Sequence, residues 1–389
     1  MQIDMHYYGV YCLARMAGLR QDAAETIAGV SQYVDDSTAE GVLIRNDCAR
    51  FKVETTAHSL LDLDANTDPD DQLQVWVPFH FMPGGEGPHL SDMLVCTKNS
   101  KNAQGVLAAC LKEIERPCFL QLAGVAAHMY ADTFAHHGFA GISTSLNRVK
   151  GGSITLGRPP SGQAPAAVMS ELERSIRRRA PAYPRLRTEN RSPEGFWDRV
   201  RHWAKRRLLP IASFFAEDIS GALGHSAVAT LPDVPFLQWS FQYEAHDSDR
   251  TRAQTQARSN PVDYLEACEA LYVWFVQLAN AAPRIADSQV SHLFKAAQVA
   301  QILGTTGDIE TRSRAWQTAF SAQQSGTFQE QTIPPYNLKA WSDSRDQLCS
   351  LPKPWDAVQH PIYRFYQAAS WYREFVLREY LPSNGIVLI

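Results

Sequence analysis

Nowhere in the chain is there an unbroken apolar run of the ~18 residues that a membrane-spanning helix needs, so no such span is expected. The opening Met1-Gln2-Ile3-Asp4-Met5-His6 lacks a basic stretch followed by an apolar core, and a secretory signal is not expected either. Cysteine is sparse. The seven residues Cys12, Cys48, Cys96, Cys110, Cys118, Cys268 and Cys349 form no C-x-x-C pair. A scattered, odd set favours reduced, buried thiols over a disulfide framework, and a cytoplasmic location is expected, with export by a signal-independent system as the alternative. Neither sign of charge is in large excess, since 37 Lys and Arg face 41 Asp and Glu for a net charge of −4. That balance removes any global electrostatic argument for binding nucleic acid or membrane. Internal repeats and low-complexity tracts are also missing.

What is present reads mostly as helix. Residues 5–19 mix apolar and small side chains as a buried helix does, with Gly18 as a stop. Further helical patterns cover 22–34, 104–115, a central stretch at 118–137, then 211–222, 264–281, 292–303 and 363–380. Between 41 and 88 the pattern turns to short β-like or irregular pieces, among them 73–81. The expected fold class is therefore mainly α, a multi-helix, bundle-like arrangement with short irregular or β insertions. Three regions are expected: a helical core from 1–146 and 211–260, a Gly/Pro/Arg-rich insertion at 147–210, and a C-terminal helical region, 261–389, packed on that core.

Within the insertion, positions 174–207 carry an Arg-rich block that runs from Arg174, Arg177, Arg178 and Arg179 to Lys205, Arg206 and Arg207. A solvated face accounts for it plainly; an anion-attracting rim is its functional reading. Its aromatics are few, chiefly Trp197 and Trp203, too few to favour a nucleic-acid module that stacks on bases.

The chemically distinctive stretch lies in the central helix. His128, Asp132 and His136 follow one another at intervals of four, which stacks them on one helical face. Ala126, Ala127, Ala131 and Ala135 let neighbouring helices approach closely enough to add ligands, and Gly138 and Gly141 supply stop signals. Asp35 and Asp36 end an earlier helix, where negative charge opposes the helix dipole unless a cation compensates it. His80 sits between Phe79 and Phe81 in an apolar setting, and Asp4, His6, His225 and Asp233 complete the ligand-type residues near helix ends. Imidazole with carboxylate suits Zn²⁺, with Fe²⁺ or Mn²⁺ as alternatives; calcium asks for more oxygen ligands and magnesium for fewer histidines.

In order and type, these ligands resemble the zinc-dependent phospholipase C and single-strand-specific nuclease superfamily, helical enzymes that hold three zinc ions and hydrolyse phosphodiesters. The resemblance covers roughly 1–240. The segments SQYVDD, WVPFHF, HMYADTFAHHGFAG and LGH…LPD together look like an uncharacterised bacterial family related to that superfamily. The resemblance implies that Asp35, His80, His128 and Asp132 hold one metal, Asp132 and His6 a second, and His136, His225 and Asp233 a third, with Asp132 bridging. It also implies a terminal Trp as ligand. Here the first residue is Met1, so either Asp4 stands in for it or the corresponding metal is missing, and His137 competes with His136.

The function that the resemblance implies is hydrolysis of a phosphodiester or phosphomonoester by a metal-activated water in a site of two or three zinc ions, with Asp35, Asp36 and Asp132 as catalytic carboxylates. The partner would be an anionic phosphate-containing substrate such as a nucleotide, a nucleic acid or a phospholipid headgroup. The alternatives are a helical binding protein stapled by metal and a secreted toxin with phospholipase or nuclease activity.

Overall fold

The computed structural model describes residues 1–45, 47–58, 65–66, 68–150, 152–157, 224, 226–244, 254–287, 293–321 and 332–388. His225, the Arg-rich block at 174–207 with Trp197 and Trp203, and the helix expected at 211–222 lie outside the described residues.

The fold is mainly α. A π-helical turn, Asp4–Gly9, runs into α1 (Val10–Met16), and α2 (Gln21–Asp36) follows after Gly18 turns the chain at φ +86°. The short hairpin of β1 (Val42–Ile44) and β2 (Arg50–Lys52) is antiparallel, with Leu43 opposite Phe51. Of residues 73–81, read from sequence as β-like or irregular, 73–79 are instead helical, in a run of Pro69–Asp71, a π turn Gln72–Trp76, then Val77–Phe79. The local reason is a strong start. Asp68 accepts from the backbone N–H groups of Asp70 and Asp71, and Pro69 occupies the first helical position, where its missing N–H costs nothing.

Next come α3 (Lys101–Cys110), capped by the Ser100 hydroxyl, and α4 (Phe119–Ala135). A three-stranded antiparallel sheet, in the order β3-β4-β5, joins β3 (Thr155–Leu156), β4 (Gln238–Gln242) and β5 (Thr255–Ser259). The C-terminal part supplies α5 (Asn260–Ala281), α6 (Ala296–Leu303), α7 (Ile309–Ser321), α8 (Leu338–Leu348) and α9 (Pro361–Glu374), the last extended by a π turn, Phe375–Tyr380.

The α4 helix is the axis of the molecule. Apart from Gln121, Thr133 and the face that bears His128 and Asp132 it is apolar, and it is buried along nearly its whole length, the pattern of a helix surrounded by others. Around it pack α2, α3, α5 and α9. One hydrophobic cluster joins residues from both ends of the chain, among them Leu13, Ile27, Met129, Phe275 and Phe365. A second cluster lies under the sheet, where Trp239 and Phe241 of β4 and Tyr243 just past it alternate inward, and Phe241 and Tyr243 meet Phe139. No described helix is long and apolar enough to cross a membrane.

Candidate metal centre

Four histidines and three aspartates meet on one side of α4. His128, Asp132 and His136 come from α4 or its cap, His6 from the first π turn, Asp35 from the end of α2, His80 from the end of the 69–79 run, and Asp233 from the turn Leu231–Asp233. His6, His80, His128, Asp132, His136 and Asp233 are buried, whereas Asp35 keeps 31% of its side chain exposed.

Each of these segments is held by bonds that follow from local sequence. Gly124 lets α2 and α4 touch, since a Cβ there would lie 2.6 Å from that of Val30. The approach brings the Ser31 carbonyl to 2.7 Å from His128 Nδ1. Thr56 donates its hydroxyl to the Val34 carbonyl and offers its own carbonyl to His80 Nε2 at 2.8 Å. The Asp233 turn is pinned by Asn260 Nδ2, which donates to the carbonyls of Leu231 and Val234. At the far end of α4, Gly138 leaves the helix at φ +88°, and Arg258 donates to the carbonyls of Ala135 and His137.

Whether these residues fit a metal ion follows from which ring nitrogens carry protons. A carbonyl oxygen only accepts, so the nitrogen facing it is the N–H. His128 Nδ1 donates to Ser31, His80 Nε2 to Thr56, and His136 Nδ1 to the carbonyl of His80, 2.9 Å away. Their other nitrogens carry lone pairs when neutral, and all three point at carboxylate oxygen. His128 Nε2 and His80 Nδ1 each lie 3.2 Å from Asp132 Oδ2 and 3.1 Å from one another. His136 Nε2 lies 3.3 Å from Asp233 Oδ1.

Asp35 Oδ1 adds contacts of 3.7 and 3.8 Å to His128 and His80, while His6 Nε2 stands 3.1 Å from the second oxygen of Asp132. Lone pairs converging in this way repel one another until a cation sits among them. Tetrahedral ligands about 2.1 Å from an ion are about 3.4 Å apart, within the spread of these separations. The orienting carbonyls are the outer partners that metal-bound histidines characteristically have. Two overlapping groups, His6 with Asp35 and His128, and His80 with His128 and Asp132, are thus positioned to hold a metal ion.

The electrostatics show how strongly the centre is polarised. Burial alone would raise the Asp132 carboxyl, yet His136, the Met1 amine, His128 and His6 hold it well below its ordinary range. Burial raises Asp35, against the pull of His128 and His80. His6 is pushed well down, first by burial and then by His128 and the Met1 amine. Burial lowers His80, but the bond to Asp132, the charges of Asp132 and Asp35 and the Thr56 carbonyl together outweigh it and the pKa rises.

Some expected ligands are placed elsewhere. Asp4 pairs with Arg312, Oδ2 to Nε at 2.6 Å, because a separation of two residues on a helical turn sends Asp4 and His6 to nearly opposite sides. Its place beside Asp132 and Asp233 is taken by the α-amino group of Met1, at 2.6 and 3.3 Å, whose pKa rises to about 11 as those carboxylates outweigh burial. Asp36 is engaged outside the cluster, accepting from Tyr336 Oη at 2.7 Å and Gln32 Nε2 at 3.2 Å. His136, not His137, faces inward. His137 bonds to Asp263 at 3.2 Å, and burial lowers its pKa to about 4.

Sequence reasoning passed over Arg258 and Arg312, which act at long range and carry no motif. It also passed over the carbonyls of Ser31 and Thr56, which no residue type announces. A surface cavity of about 410 Å³ lined by residues such as Lys52, Arg116, Tyr363 and Trp371 contains none of the cluster residues.

Fold and site together define a mainly α protein with a buried histidine–aspartate centre arranged to hold a metal ion. The chain belongs to the family of unknown function DUF6765, whose model matches residues 1–380. Among curated proteins and among solved structures nothing matches it.

Proposed function

We propose that the protein is a metal-dependent hydrolase of phosphoric esters, with zinc as its first-choice ion and iron or manganese as alternatives. The observation that carries the reading is the set of three imidazoles whose N–H groups are taken up by backbone carbonyls, leaving their other nitrogens aimed at Asp132 and Asp233. Nitrogen and oxygen donors in this proportion suit borderline divalent ions. When bound, such ions supply Lewis acidity towards a phosphoryl oxygen and acidify water to a pKa of about 7.

The protein's own groups divide the remaining work. Asp132 offers Oδ1 to the side of His6 and Oδ2 to the side of His80 and His128, the disposition of a bridging carboxylate. Asp35 reaches solvent, so it is placed to orient a water or accept its proton. Asp36, held by Tyr336 and Gln32, serves to fix the rim beside Asp35.

The choice of phosphoric esters over amides rests on the order of ligand motifs along the chain, and the test is direct. Metal content is measured on protein prepared without chelator, beside Asp132→Ala and His128→Ala. We expect two or three equivalents in the wild type, loss of more than one in Asp132→Ala, and turnover of a chromogenic aryl phosphodiester that both substitutions abolish. Loss of one equivalent or none from Asp132→Ala would refute the bridge. A metal-loaded protein inert towards phosphodiesters and phosphomonoesters would remove the proposed activity.

A further inference from the structure

Away from this centre, His58 occupies an unusual position. Its side chain is 1% exposed, and Nε2 is buried without a hydrogen-bond partner. Two carboxylates face the ring: Asp71 Oδ1 lies 3.6 Å from Nε2 and Glu40 Oε1 lies 3.7 Å from Nδ1. Both separations exceed the roughly 2.7–3.2 Å of an N–H···O hydrogen bond. The one from Asp71 to Nε2 is instead close to the ~3.4 Å between two ligands of one tetrahedral ion. A buried imidazole nitrogen left unpaired costs about 1–3 kcal/mol, and an ion at that position would remove the cost.

We infer that Glu40, His58 and Asp71 form a second metal site, separate from the main centre, that takes a divalent transition ion through His58 Nε2 and the two carboxylates. One ligand atom from each residue falls within 4.8 Å of the others. Glu40 and Asp71 are 61% and 38% exposed, so the ion is open to water on that side and exchangeable. A single imidazole with two carboxylates favours zinc or manganese over calcium, which asks for six to eight oxygens.

The position gives such an ion a task. Glu40 lies just past the end of α2 that bears Asp35, and His58 is two residues beyond Thr56, whose carbonyl orients His80. Asp71 lies in the first turn of the helical run that His80 caps. The Trp76 ring stands between the two centres, 6.3 Å from that of His58 and 5.0 Å from that of His80. An ion here would brace three segments that aim ligands at the main centre, acting as a positioning element.

The experiment measures zinc per chain by elemental analysis after equilibration with ZnCl₂ and gel filtration. Wild type is compared with His58→Gln, Asp71→Asn, Asp132→Ala and the double variant Asp132→Ala/His58→Gln. Each single change at the new site should remove one equivalent, and the double variant should lose the equivalent that Asp132→Ala retains. Asp71 is exposed, so Asp71→Asn carries the test should His58→Gln fail to fold. Unchanged zinc content in Asp71→Asn and in folded His58→Gln overturns the site, as does a double variant that binds as much as Asp132→Ala. A failed main centre reads differently, because wild type and Asp132→Ala would then hold the same single ion.

Discussion

Asp4 shows how one buried side chain can look like a ligand and be a strut. Its carboxylate meets Arg312, which also donates to the Gly307 carbonyl and to Gln2, so α7 holds the turn that carries His6. Removing one partner of a buried pair strands the other. We expect Arg312→Ala to cost about 3–5 kcal/mol at neutral pH, measured by denaturant unfolding, and Asp4→Asn/Arg312→Met to cost less. The pH dependence has a definite sign. Burial raises Asp4 above its ordinary range even with Arg312 opposing it, and without Arg312 it rises further. A carboxyl whose folded pKa exceeds its unfolded one binds more protons when folded, so its penalty is relieved as pH falls through the folded value. The gap between Arg312→Ala and wild type should therefore narrow on going from neutral to acidic pH; a gap that widens would refute this account.

Among the elements, the contact between α2 and α4 decides the geometry of the centre. At Gly124 an added Cβ would meet Val30 Cβ at 2.6 Å and the Ile27 carbonyl oxygen at 2.7 Å, so the helices must part to admit it. Gly124→Ala is expected to destabilise the fold by about 1–3 kcal/mol through overpacking. It should also weaken metal binding, because parting the helices lengthens the bond from His128 to the Ser31 carbonyl. Thermal melting and a metal titration check both; wild-type affinity in a destabilised variant would uncouple packing from the centre. The opposite end of α4 depends on Gly138, where φ is +88° and a Cβ would lie 2.5 Å from Tyr243 Oη. There Gly138→Ala should cost a similar ~1–3 kcal/mol, read by the same melt.

Helices of this kind are legible in sequence because their signals are local. The interval of four that joins His128, Asp132 and His136 is helical geometry written in the chain, and the alanines around it mark a buried helix. The run 73–81 misled because Val75, Trp76 and Val77 favour strands, while the cap that wins, Asp68 with Pro69, lies upstream of it. Asp4 misled for a different reason: its partner is 308 positions away, and no local pattern encodes a contact of that range. Arg258 and the backbone carbonyls behind the histidines were illegible on the same ground. They exist only once the tertiary fold has formed.

For the whole molecule the open contrast is between a catalyst and a scaffold stapled by its metal. The burial of His6, His128 and Asp132 would suit a staple, and the partial exposure of Asp35 suits a catalyst. The core decides what removal of metal does. Its main hydrophobic cluster runs through α1, α2, α4, α5 and α9 and so joins both ends of the chain without using the side chains of the candidate centre. A chain that buries this much apolar surface does not need an ion to reach its fold, unlike small domains that are unfolded without metal. Binding nevertheless adds to stability, by about 4 kcal/mol when free metal is a thousandfold above its dissociation constant. We therefore expect a chelator to lower the melting temperature while leaving helical circular dichroism and the cooperative transition intact. The proposed phosphoesterase activity should vanish and return on adding zinc. If chelation instead abolishes the transition at room temperature, the ion is a staple, and the reading of this centre as catalytic loses its ground.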